Sequence, residues 1–238
     1  MHLLCPRCED LLNVGETHFA ANIFQPFTSN EPHITQFSAT DLAFAVGQSW
    51  RVLAYAQIRG IHNLRGRHPG AVESAKEAWK SYLLNRSDNL RGHDIHLVPL
   101  SGVTEGVCPP NINRYLRRTV EIDFVVSDSI AFTYAKLGPL MLVGIVACAH
   151  PDQWENTLIQ TNGRFAPGDF RVSKGFIDYV VSRAERLSAL EASLSPTQLA
   201  NIERAFEKDP QRVASSETLK ATVYDLERSE AQGDASEA

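Results

Sequence analysis

Cysteine is scarce in this chain. Four in 238 residues are too few for a disulfide framework. No apolar run approaches the roughly 18 residues that a membrane span needs, and the stretch from Met1 to Pro6 is too short for a secretory signal. The expectation is a cytoplasmic protein with no membrane contact. An excess of basic residues is missing too: 23 Lys and Arg against 28 Asp and Glu give a net charge of −5. That balance excludes a protein that coats nucleic acid by charge alone and leaves room only for a local basic patch. Also absent are a nucleophile elbow, a phosphate-binding Walker loop, a dinucleotide fingerprint and an HExxH motif. No pair of acids stands out as a catalytic dyad. What is present is an ordinary globular composition, 43% hydrophobic and 21% charged, which excludes wholesale disorder.

Periodicity divides the chain into helical, extended and again helical parts. Glu9 to Phe24 carries Leu12, Phe19, Ile23 and Phe24 at near-helical spacing, and Gln25-Pro26 is expected to end that helix. Ser38 to Asp41 reads as a capped helix start, followed by a broad apolar face from Leu42 to Ala56. A further helix runs from Pro69 to about Leu84, with Val72, Ala75, Ala78, Trp79 and Tyr82 on one side. The middle third switches to β-branched and aromatic residues. His93–Leu100, Val120–Val126, Ser129–Lys136 and Leu140–Ala149 are expected strands, with Gly138-Pro139 as the turn of an antiparallel pair, and Asn156–Gln160 is a further short one. Lys174 to about Ser193, a helix capped at Ser195, and one from Ser215 or Ser216 to Arg228 complete the chain. The fold class is α+β, as one domain over residues 1–228, with a disordered acidic tail over 229–238.

Cys5-Pro6-Arg7-Cys8 is the sharpest local motif. Two thiolates separated by two residues in a tight turn can both face one zinc ion, which needs two further ligands. Within the chain these would come from Cys108, Cys148, His18, His93, His96 or His150. A two-fold dimer would instead supply Cys5 and Cys8 of a second copy, or a partner chain would complete the shell, and a metal-free pair at a frayed terminus is the plain alternative. In a strand, Asp94 and His96 share a face, so Asp94 is placed to orient His96 as a base; a polar strand edge is the simpler reading. Arg59, Arg65, Arg67 and His68 form the one sustained basic region and the candidate nucleic-acid contact. Arg114 and Arg118 make a second short strip, expected to pair with Glu121 and Asp123. Trp50 and Trp79 read as core anchors, with Arg51 reaching a buried acid.

Three stretches together carry a resemblance: Leu3-Leu4-Cys5-Pro6-Arg7-Cys8-Glu9, Glu16-Thr17-His18-Phe19-Ala20-Ala21-Asn22-Ile23-Phe24, and Ser49-Trp50-Arg51-Val52-Leu53. They resemble a group of bacterial HNH-endonuclease-like proteins. In longer members a further segment bears another CxxC and a Glu-His-Ile-hydrophobic-Pro stretch, whose His polarises the attacking water while the two Cys pairs hold a structural zinc. This sequence has neither that Cys pair nor that His before Cys5. The resemblance therefore gives Cys5 and Cys8 a role as half of a zinc site and transfers no catalytic residue. It implies an HNH-like protein without nuclease activity of its own, nucleic-acid-associated or acting in bacterial or phage defence. A segment upstream would restore a metal-dependent nuclease. A protein-interaction or assembly subunit is the alternative from a different class, supported by the acidic balance and the extensive apolar helices.

Overall fold

The computed structural model describes residues 5–29, 35–60, 68, 70–100, 108–165, 167–214 and 216–236. Helices and an antiparallel four-stranded sheet make the chain an α+β protein, as the periodicity implies. Where the sequence suggests one domain, the chain divides into two compact units: Met1–Pro99 with Val120–Gly175, and Leu100–Thr119 with Phe176–Ala238. The second unit is assembled from two separated stretches, so no single break in composition marks its border.

The first unit opens with α1 (Pro6–Phe19), a π-helical turn over Ala20–Phe24, and α2 (Gln25–Thr28). The stop expected at Gln25-Pro26 is not there. A proline ring in a regular α-helix collides with the carbonyl four residues back. Here the turn just before it is a wide π turn, in which the Gln25 amide reaches the Ala20 carbonyl, so the proline does not enter a regular α-helical ladder. After β1 (Thr35–Gln36), α3 (Ala39–Ile58) starts at the expected cap. The Ser38 hydroxyl accepts from the Asp41 amide, and Asp41 Oδ2 accepts from the Ser38 amide at 2.8 Å. Next comes α4 (Ala71–Leu83), whose N-cap is Gly70 in the left-handed region at φ +76°, a conformation glycine adopts without strain. Pro69, expected in its first turn, lies outside the described residues.

β2 (Ile95–Pro99) is followed by α5 (Ile112–Arg118) of the second unit, and then by β3 (Val120–Val126), β4 (Ile130–Leu137) and β5 (Leu140–Cys148). The sheet order is β2-β5-β4-β3, antiparallel throughout, so β4 and β5 are the central strands. β6 (Arg164–Phe165) pairs with β1 as a separate two-stranded ribbon. Asn156–Gln160 is not a regular strand. Asn156 turns into the left-handed region at φ +58°, and beyond it the chain runs along the β2 edge through the bonds Leu97 N–H to Thr157 O and Ile159 N–H to Ile95 O. On one face of the sheet Ile95, Leu97, Ala131, Ala135, Leu142 and Val146 join Ala45, Val46 and Leu53 of α3 and Trp79 of α4 in a single core. The opposite face, with Phe132, Tyr134, Met141 and Val143, is buried as well.

In the second unit α5 is joined by α6 (Lys174–Ala192), α7 (Pro196–Lys208), α8 (Pro210–Ala214) and α9 (Glu217–Ser236). The Ser195–Gln198 capping box opens α7, as expected. α9 is tied to the α5 region by two residues one turn apart. Asp225 accepts from the amides of Asn113 and Arg114, and the buried Arg228 donates to the carbonyls of Cys108, Pro109 and Pro110. The helix then continues to Ser236, through most of the segment expected to be a disordered tail. Once its upstream turns are fixed, further Ala-, Gln- and Glu-containing turns extend the helix without a new nucleation cost.

Candidate functional sites

Cys5 is exposed at the N-cap of α1, and Cys8 follows one turn later, with its side chain outside the described residues. The possible completing ligands are scattered. Cys148 is half-buried at the end of β5, His150 is exposed just beyond it, and Cys108 belongs to the second unit. The remaining histidines are engaged elsewhere. Among the described residues no group of three or more His, Cys, Asp and Glu side chains is placed to hold a metal ion.

Of the basic stretch, Arg59 and His68 are described, whereas Arg65 and Arg67 lie outside the described residues. Arg59 is exposed at the C-terminal end of α3, with its guanidinium 5.7 Å from the ring centroid of Tyr55, which is itself 43% exposed. Residues four apart share a helix face, so this pair forms an aromatic–guanidinium platform open to solvent. His68 is used differently: its Nε2 bonds the Ser127 carbonyl at 2.8 Å. In the second unit Arg114, Arg118, Thr119, Leu187 and Thr218 line an open cleft of about 300 Å³.

The histidines sort by their partners. His96 is buried in β2, its Nδ1 2.9 Å from Thr157 Oγ1 and its ring 4.7 Å from that of Trp154. Burial pushes its imidazole down to about 4. Asp94 points to solvent and does not orient it, which corrects the expected Asp94–His96 arrangement. The shared-face argument fails because the His96 ring is taken up in the interior by Thr157 and Trp154, whereas the Asp94 side chain is exposed. His18 on α1 meets the buried Asp41 of α3, Nδ1 to Oδ1 at 3.1 Å, so the residue that caps α3 also anchors an imidazole from α1.

His93 makes the most organised set of contacts. Its Nε2 lies 2.8 Å from the hydroxyl of Ser74, an exposed residue near the start of α4, and its Nδ1 lies 3.3 Å from the Ile145 carbonyl of β5. The fully buried Trp79 donates from Nε1 to the His93 carbonyl at 2.8 Å, which fixes the backbone at this point. Burial lowers the His93 pKa, against the opposing pull of the backbone carbonyls and of Asp94. Sequence alone offered His93 only as a metal ligand and gave Ser74 no role, because they meet through a contact nineteen residues apart that no local pattern encodes. Arg51 reaches Glu16 at 2.7 Å, yet that acid is 39% exposed and not the buried partner expected.

No protein-family model, curated protein or solved structure matches the chain.

Proposed function

We propose that this chain is a nucleic-acid-associated protein of HNH-like character that does not cut nucleic acid by itself. The observation that carries this reading is the solvent-facing Tyr55–Arg59 platform at the end of α3, which leads directly into the stretch bearing Arg65 and Arg67. An exposed aromatic beside a guanidinium suits an unpaired base, and the following arginines suit its phosphates. The Cys5–Cys8 half-site belongs to the same reading, with zinc shared between two copies of the chain.

The test is fluorescence anisotropy of a labelled single-stranded oligonucleotide across a salt series. Changing Arg59, Arg65 and Arg67 together to Ala is expected to weaken binding at least about tenfold at low salt and to flatten the salt dependence. Tyr55→Ala is expected to weaken binding with the salt slope unchanged. Metal-dependent nicking by the purified chain, abolished by EDTA, would overturn the non-catalytic part. About half a zinc per chain, with dimer lost in EDTA, supports the shared site, whereas zinc below about a tenth per chain rejects it.

A second reading is favoured by a different observation. α9 exposes Leu219, Val223 and Leu226 at 37%, 42% and 59%, at a spacing that places them along one face, and α7 exposes Leu199 and Ile202. Such stripes suit a protein-interaction or assembly subunit. If the unmodified chain retains no oligonucleotide even at low salt, this reading replaces the first.

A further inference from the structure

We propose that Ser74 is a nucleophilic serine activated by His93, and that this pair acts on carboxylic esters, an activity beyond the nucleic-acid reading. Helix serines commonly turn their hydroxyl back to a carbonyl of the preceding turn. Ser74 does not: its hydroxyl goes to His93 Nε2 at 2.8 Å and has no second partner among the described residues. The far side of the imidazole settles the direction of that bond. A peptide carbonyl only accepts, so the contact with Ile145 places the ring proton on Nδ1. The lone pair is left on Nε2, facing the serine hydroxyl, which therefore donates. The Ile145 carbonyl fixes the tautomer and the ring, as the carboxylate does in a Ser-His-Asp triad. Nucleophile, base and orienter stand in order within hydrogen-bond reach, and the nucleophile is exposed while the base is buried.

Two further features serve the same chemistry. Asp94, next to His93 in the chain, favours the imidazolium that forms during attack. The amides of Val72 and Glu73 lie in the same first turn of α4 as Ser74, where a helix leaves its backbone N–H groups without an intrahelical acceptor. They are available donors for a developing oxyanion. In the step proposed, Ser74 Oγ bonds to the ester carbonyl carbon while its proton passes to His93 Nε2. That proton then moves to the departing alkoxide as the ester C–O bond breaks. A water molecule, deprotonated by the same Nε2, releases the acid and restores the serine.

The test uses the full chain and a fluorophosphonate probe, which forms an Oγ–P bond and expels fluoride without needing a known substrate. Peptide mass analysis is expected to find the label on Ser74, and Ser74→Ala, with an unchanged circular dichroism spectrum, is expected to lose it. Ser74→Cys reads the role of His93 without altering a buried residue. Its thiol is expected to react with iodoacetamide at pH 6.5 about tenfold faster than glutathione, because a neighbouring imidazole stabilises the thiolate. A hydroxyl that merely satisfies a buried histidine gives no label at Ser74 and a glutathione-like rate in Ser74→Cys. Either result overturns the proposal.

Discussion

His96 and Lys136 share the second face of the sheet, one on β2 and one on β4, and both are shielded from water. Burial disfavours the protonated form of each, but the consequences fall in different pH windows. The folded-state pKa of His96 is lowered from 6.5 to about 4, so between those values the unfolded chain binds the proton and the folded chain does not. Stability is therefore lost as pH falls from about 6.5 to 4, by roughly 3 kcal/mol at about 1.36 kcal/mol per pKa unit. His93 adds to this in the same direction. Urea midpoints measured across that range are expected to decline in the natural chain and to decline less in His96→Asn; identical slopes would remove His96 as the cause. For Lys136, whose Nζ donates to the Gly138 carbonyl, the pKa is lowered from 10.5 to about 7. Here the unfolded state holds the extra proton between about pH 7 and 10.5, so stability rises with pH through that window. Lys136→Met removes the cost of sheltering an amine. It is expected to raise the urea midpoint at pH 7 and to flatten the profile up to pH 10. A lower midpoint at pH 7 would mean that the lysine contributes more by its bonds than it costs by its burial.

α3 lies across the sheet, and its seat depends on one missing side chain. A Cβ at Gly144 would stand 2.6 Å from Ser49 Oγ, 2.7 Å from Ser49 Cβ and 2.6 Å from Thr133 Oγ1, distances at which something must shift. Gly144→Ala is expected to cost about 1–3 kcal/mol through overpacking. Adding Ser49→Gly is expected to return part of the loss, a rescue that a general weakening of β5 would not show. Sequence pattern makes the apolar character of β5 plain, because a run apolar on both faces suits a central strand. It does not disclose Gly144, since a close approach is a property of two elements. The same distinction explains the other elements. The β3, β4 and β5 strands, the Gly138 turn and the Ser38 and Ser195 caps follow from local chemistry. The passage through Pro26 and the broken path after Asn156 depend on a π turn and a left-handed residue that composition does not announce.

At the scale of the whole molecule, the division into units escapes a linear reading because the second unit takes residues 100–119 out of the middle of the first. The candidate sites follow the same rule. Cys5, Cys8 and Arg59 were legible as motif and charge, whereas Ser74–His93 and His18–Asp41 arise only where distant elements meet. Within the second unit the tie between α5 and α9 rests on Arg228, 1% exposed, whose guanidinium satisfies three backbone carbonyls. Replacing it with Met keeps an unbranched apolar stem but strips the buried Pro109 carbonyl and the part-buried bonds at Cys108 and Pro110 of their shared donor. Each unsatisfied polar group costs about 1–3 kcal/mol, so a loss on the order of 3 kcal/mol is expected. That corresponds to roughly a hundredfold faster amide exchange in peptides from α5 and α9. If the two units are also separate units of stability, peptides from β4 and β5 keep their protection in Arg228→Met. An equal loss of protection in the sheet would show that the chain opens as one cooperative body, whatever its contact pattern divides.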